Sequence, residues 1–234
     1  MPMENKVEVE FSPRKVSRTA NKIFSLSQND LKAYLTDYLF GIGYKPIVGD
    51  GYVYAEGTVP VLLVAHMDTV HTSLPGVICK GGTYGEIWMS PNGIGGDDRA
   101  GVYMVTEVIR ELRCSVLFCE DEETGGVGAR KFTTSKITPK VNHIIEFDRM
   151  GNNDAVFYSC GNKEYVDFIE RFGFKEAYGS FSDISTIAPH LGIAAVNLSS
   201  GYYSPHTRYE YVNFDIVHYN IDRAKAIIEA SDTF

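Results

Sequence analysis

Apolar residues recur along the chain in two rhythms. Between Ser27 and Gly41 they fall at Leu31, Tyr34, Leu35, Tyr38 and Leu39, a stripe of helical spacing. It opens on the cap pair Ser27 and Asp30 and stops at Gly41. The same rhythm predicts a helix over Arg99–Arg113, with Val102, Val105, Val108, Ile109 and Leu112 on one face, and another over Lys163–Phe172. A C-terminal helix over Asn213–Ala230 has Asn213 as cap and Val217, Ile221, Ala224 and Ile228 inward. The second rhythm is continuous. Val59–Val64 (VPVLLV) is an unbroken apolar run, of the kind a strand covered on both faces requires, and Ser115–Cys119, Val141–Phe147 and Ile193–Leu198 read as further, mainly apolar strands. Shorter strands are expected at Tyr52–Glu56, Glu86–Ser90 and Ala155–Ser159, with a short helix at Gly128–Phe132. Strands alternating with helices predict an α/β fold class: a single three-layer α/β/α domain around a mixed, mostly parallel sheet.

Length and composition narrow this picture. At 234 residues the chain suits one large domain or two small ones, and without a repeat, low-complexity tract or linker one domain is the simpler reading. We expect a polar segment over 1–25, a candidate for partial disorder, followed by one domain over 26–234. Hydrophobic residues at 44 % suit a globular protein with a sizeable core. A formal net charge of -8, with no basic stretch interleaved with aromatics, argues against nucleic acid as a partner. No apolar run reaches the length of a membrane span, and MPMENKVEVEFSPRK holds no signal-peptide core. Cys79, Cys114, Cys119 and Cys160 form no C-x-x-C pair. The reading is a reduced, cytoplasmic protein with no membrane partner.

In sheets of this class, functional groups collect just beyond the carboxyl ends of strands. After VPVLLV come His66 and Asp68, and after Glu86–Ser90 come Asp97 and Asp98 in GGDDRAG. After CSVLFC come four consecutive carboxylates, Glu120 to Glu123, then Gly125 and Gly126. Asp148 follows NHIIEF, and His206 follows the last inner strand in GYYSPH. Each alone has a plain explanation, as a structural histidine, an N-cap or a solvent-facing glutamate. Together they crowd anions into one crevice, which is costly unless cations neutralise them. Histidine and carboxylate without thiolate suit Zn²⁺, with Co²⁺ or Mn²⁺ as alternatives, and there are acids enough for two ions. Asp68 lies two residues beyond His66, on the same side of an extended strand. There it can accept the other ring N–H of His66 and fix its tautomer; a turn-forming Asp is the plainer alternative.

HMD in LLVAHMDTVH, GGDDRAG, DEETG, FDRMG and SPHTRYEYV together resemble the co-catalytic di-zinc exopeptidases, in that superfamily's order and context, from about Val59 to Val212. That superfamily includes lid-less aminopeptidases, peptidase T-type tripeptidases, glutamate-releasing carboxypeptidases and acyl-amino-acid deacylases. The GGDDRAG segment looks like the peptidase T form, with Arg99 where Lys is common. The resemblance implies a phosphorylase/hydrolase-like zinc peptidase fold and two Zn²⁺ per chain. Asp97 would bridge them, His66 and Asp148 would complete one ion's ligands, and Glu123 and His206 the other's. It further implies Glu122 as general base, a cis peptide between Asp97 and Asp98, and a structural role for Asp183.

Asp148 to His206 must already hold a strand, a helix and another strand, which leaves no room for the lid or dimerisation insertion of some branches. The 31 positions from His66 to Asp97 allow one strand and loops. A minimal catalytic domain is expected. Its function would be zinc-dependent exopeptidase action, as an aminopeptidase or di/tripeptidase. N-acyl-amino-acid deacylation is the alternative, and a non-catalytic metal- or peptide-binding module the alternative from another class. The partner would be a small peptide or acyl-amino acid, with homo-oligomerisation as a further option. For substrate contacts the candidates are Glu120 or Asp121 toward an ammonium, Arg149 or Arg208 toward a carboxylate, and Tyr202 or Tyr203 toward the oxyanion. Surface salt bridges or core aromatics explain each equally well. His71 lies near the site, a candidate for substrate contact or, more plainly, a surface loop residue. His143 opens a strand, His190 follows Pro189 in a loop and His218 lies on a helix, and none of these three is given a role.

Overall fold

The computed structural model describes residues 6–11, 14–82 and 86–231. In chain order the elements are α1 (Arg18–Ile23), α2 (Gln28–Gly41), β1 (Ile47–Gly49), β2 (Tyr52–Ala55), β3 (Val59–His66), β4 (Cys79–Gly81), β5 (Ile87–Met89), α3 (Gly96–Val108) and β6 (Cys114–Cys119). They continue with α4 (Val127–Thr133), β7 (His143–Arg149), β8 (Asp154–Val156), α5 (Lys163–Glu170), β9 (Lys175–Glu176), α6 (Ile184–Leu191), β10 (Ala194–Ser199), β11 (Tyr202–Tyr203), β12 (Tyr211–Asn213) and α7 (Phe214–Ala230).

The main sheet runs β1-β2-β6-β3-β7-β10-β8-β9. Its four inner strands β6, β3, β7 and β10 are mutually parallel, while β2 and β8 join them antiparallel. The class is therefore α/β with a mixed, mostly parallel central sheet. Alternation along β3 assigns its faces. Val61, Leu63 and Ala65 join a core with α2, α3, α5 and α7, whereas Leu62 and Val64 pack against α4 and α6 on the other side. Both faces are covered, which is why the sequence there shows unbroken apolar runs. Ser27 caps α2 by accepting from the Asp30 N–H (3.2 Å), and Asn213 caps α7 by accepting from that of Asp215 (3.1 Å).

The structure departs from the sequence pattern in four places. Ile87–Met89 is not an inner strand. It pairs with β4 and β12 in a separate antiparallel sheet, β11-β12-β5-β4, with Trp88 buried and Met89 exposed. Two strands rather than one therefore lie between His66 and Asp97. Helix α3 ends at Val108 instead of Arg113. Helix α6 lies where Pro189 suggested a loop. Its apolar side (Ile184, Ile187, Ala188) is buried and Pro189 falls near its end, so His190 is helical. Finally, the polar N-terminal segment contains α1, whose Ala20 and Ile23 are buried, as is the adjacent Phe24; three apolar residues in a polar run are too few for a periodic signal. Residues 1–5 and 12–13 of that segment lie outside the described residues. Among the described residues, no helix is long and apolar enough to cross a membrane.

Candidate active site

Parallel inner strands deliver their carboxyl ends to one edge of the sheet. His66 is the last residue of β3, Asp148 lies near the end of β7, and Glu122 and Glu123 occupy the turn after β6. Asp97 opens α3, and His206 comes from the loop between β11 and β12. His206 has φ 61, a left-handed backbone that a non-glycine residue adopts at a cost, as functional residues often do. The peptide between Asp97 and Asp98 is cis.

These side chains converge. The Asp97 Oδ1 lies 3.2 Å from the His66 Nε2, and its Oδ2 lies 3.2 Å from the His206 Nε2. The Asp148 Oδ1 is 3.4 Å from the His66 Nε2, and the Glu123 Oε1 is 3.0 Å from the His206 Nε2. The Glu122 Oε2 stands farther off, 4.0 Å from the His66 Nε2. His66 donates from Nδ1 to the Asp68 Oδ1 (3.1 Å), and Asp68 also accepts from the N–H groups of Glu122 and Glu123 (3.0 Å each). One carboxylate thus orients both the imidazole and the two-glutamate turn.

The donor set fits a divalent ion. With Nδ1–H given to Asp68, a neutral His66 presents the Nε2 lone pair to Asp97 and Asp148, an arrangement that needs a proton or a cation between them. Nitrogen and oxygen ligands at zinc distances around a tetrahedral ion stand about 3.3 Å apart, close to the separations here. Two groups, His66–Asp97–Glu123 and His66–Asp98–Asp148, each bring their ligand atoms within 4.8 Å. The Asp98 oxygens accept from the N–H groups of His66 (3.2 Å) and Gly101 (3.0 Å), whereas Asp97 and Asp148 both reach the His66 Nε2.

The protonation pattern agrees with an anion-rich crevice. Burial, reinforced by neighbouring carboxylates, pushes Glu122, Glu123 and Asp148 up to about 7. Burial alone would lower His66, but Asp148, Asp68 and Asp97 together raise it well above its ordinary value. Hydrogen bonding to Asp97 is the main cause that carries His206 up to about 9. Protons stand where cations can replace them.

The substrate-contact candidates fare unevenly. Glu120 pairs with Lys32, and the Asp121 Oδ1 accepts from the Gln28 Nε2 (3.0 Å). Arg149 pairs with Asp154 (3.0 Å) yet still lines the cavity over Asp97, Glu122, Asp148 and His206. Arg208 is exposed beside Tyr209, Tyr203 stacks on Tyr211, and the buried Tyr202 hydroxyl donates to the Asp148 Oδ1 (3.4 Å). Arg99 is buried and donates to the carbonyls of Ile23 (2.7 Å) and Leu26 (2.9 Å). His71 lies in the loop after Asp68 but is half-buried, and its Nε2 donates to the buried Glu210 Oε2 (2.8 Å). Buried His143 and His218 contact Tyr165 and Tyr103, and Asp183 is buried at the start of α6. Sequence reasoning missed Glu210, Asn197 and Ser182. Asn197 accepts from the Asp148 N–H (2.8 Å) and Ser182 donates to the Asp148 Oδ2 (3.2 Å). Glu210 lies in YEYV, four residues beyond His206, where no local pattern marks its burial.

Two cavities border the ligand set. One, of about 280 Å³, is lined by the residues named with Arg149 and by Met150, Tyr158 and Phe181. The other, of about 590 Å³, opens on Asp68 and Glu123 and has Phe24, Leu26, Val70 and Leu74 in its walls.

The profile of Peptidase family M28 matches residues 52–196. No curated protein matches the chain. Aminopeptidase PepT from Bacillus cereus is similar in structure, with a TM-score of 0.72 at 16 % identity, over 90 % of this chain and 96 % of that one. A tripeptidase from Staphylococcus aureus gives 0.68 at 13 % identity, over 90 % and 97 %. A Zn-dependent exopeptidase from Parabacteroides distasonis gives 0.62 at 14 % identity, over 91 % and 95 %. At such identities the likeness is one of fold.

Proposed function

The chain belongs to peptidase family M28, and from that premise we propose that it is a zinc-dependent exopeptidase, an aminopeptidase or di/tripeptidase. The observation that carries the reading is Asp97, whose two oxygens reach His66 and His206 at 3.2 Å each, as a side chain shared by two ions must. Two zinc ions, held by His66 and Asp148, by Glu123 and His206, and by Asp97 between them, would polarise the scissile carbonyl and acidify a water. Glu122 stands beside this set rather than within it. Its carboxylate takes a proton from the attacking water and delivers it to the departing amine nitrogen. Asp68 keeps the His66 ring and the Glu122–Glu123 turn in register with one another. The two cavities that border the centre give room for the groups of a substrate around the scissile bond.

The test is zinc reconstitution followed by a panel of amino-acid p-nitroanilides, dipeptides, tripeptides and N-acetyl amino acids. Hydrolysis of peptides is expected, with Glu122→Gln retaining two ions per chain and losing roughly 10²–10⁴-fold in kcat. Cleavage of N-acetyl amino acids alone would turn the reading to deacylation. No hydrolysis at all by the zinc-loaded protein would leave a binding module.

A further inference from the structure

Glu210 has no part in the reaction above, yet it is wholly buried four residues beyond His206. Its Oε2 accepts from the Gly95 N–H (2.7 Å) and from the His71 Nε2 (2.8 Å), and its Oε1 accepts from the Asp97 N–H (3.0 Å). Burying a carboxylate is costly unless donors surround it, and here three do. They come from two segments, the start of α3 that carries Asp97 and the loop after Asp68 that walls the larger cavity. The glycines of NGIGG make the approach feasible. Gly93 has φ +91, and a Cβ there would lie 2.1 Å from the His71 ring; a Cβ at Gly96 would lie 2.8 Å from Tyr202 and Val212.

We propose that Glu210 is a positioning residue that acts on Asp97 through its backbone N–H. The stretch that supplies His206 also grips the peptide from which Asp97 reaches it, so one segment sets the separation of these two side chains. His71 ties the same carboxylate to the cavity wall. The inference rests on the reading of Asp97 as the metal bridge.

A plain helix cap would also accept N–H groups at the start of α3 and would contribute to stability alone. Glu210→Gln separates the two roles, because its amide turns an NH₂ group toward donors. Zinc affinity of the apo protein, read by competition with a chromogenic chelator, is expected to fall about 10–100-fold. The kcat should fall in the same range with KM little changed, and amide exchange at residues 95–97 should accelerate. His71→Ala should weaken zinc binding several-fold, and His71→Gln, which restores a donor, should recover most of it. A lower melting temperature with unchanged zinc affinity and kcat, measured well below it, overturns the proposal. Should Glu210→Gln not fold, unchanged zinc affinity in His71→Ala overturns it equally. Affinity is read without turnover. Zinc binding without hydrolysis removes the peptidase reading and leaves this test intact, whereas absence of zinc binding in the native protein removes both.

Discussion

Substitution of Asp68 by Asn distinguishes an orienting carboxylate from a turn-former. Asp68 is 9 % exposed and accepts three hydrogen bonds: Oδ1 from the His66 Nδ1 (3.1 Å) and the Glu122 N–H (3.0 Å), Oδ2 from the Glu123 N–H (3.0 Å). Asn matches its shape and keeps one acceptor oxygen. If the amide oxygen takes the Oδ1 position, the NH₂ group faces the Glu123 N–H, and one charge-assisted bond becomes a donor–donor contact. The two bonds that survive lose their charge. Hydrogen bonds to charged groups contribute about 1.5–3 kcal/mol, so a loss of about 2 kcal/mol at the centre is expected. Expressed in kcat/KM this is about 30-fold. The assay is kcat/KM on the best peptide substrate, with zinc content per chain measured on the same sample. A residue that merely forms a turn predicts the opposite, since Asn forms such turns as readily as Asp. An Asp68→Asn variant within twofold of wild type, with full zinc content, would refute the reasoning.

Two further outcomes follow from the titrating groups. Zinc removal should destabilise the chain increasingly as pH rises. Glu122, Glu123 and Asp148 sit near 7 in the metal-free fold, above their unfolded values, so the apo protein loses stability as pH climbs from about 4 through about 7. The difference in melting temperature between zinc-loaded and chelated protein should therefore widen from pH 5 to pH 8, and a constant difference would count against the cluster. His143 carries the reverse sign. Burial pushes it down to about 4, below its unfolded value, so stability present above about pH 6.5 is lost as pH falls toward 4. Urea unfolding at pH 5 and pH 7 should differ by up to about 2 kcal/mol from this residue, a share that His143→Gln removes.

The inner strands could be read from the sequence because burial on both faces leaves no polar position in VPVLLV and only Ser115 in CSVLFC, and no local rule competes with such a run. The small sheet could not. Its strands are two or three residues long, and two local pairs, β4 with β5 and β11 with β12, are joined into one sheet only by a long-range pairing in which Trp88 faces Val212. Helix α6 was masked by Pro189, whose local signal is a stop even where a buried face prevails. At the site, the histidines and acids stood out because they end apolar runs. Glu210 gave no such sign, since its burial depends on donors from residues 71, 95 and 97 that only the folded chain brings to it. His71 was misjudged for the same reason.

The grip of Arg99 on the carbonyls of Ile23 and Leu26 bears on how the protein is handled. A residue two positions from Asp97 is fastened to the stretch of chain that joins α1 to α2. A bulky tag threaded close to that stretch, a clip by protease within it, or trimming of the first twenty-odd residues as an expendable tail would strip two acceptors from a guanidinium sealed in the protein interior. Expression designs that keep α1 intact and carry their fusions at the opposite end leave this anchor undisturbed.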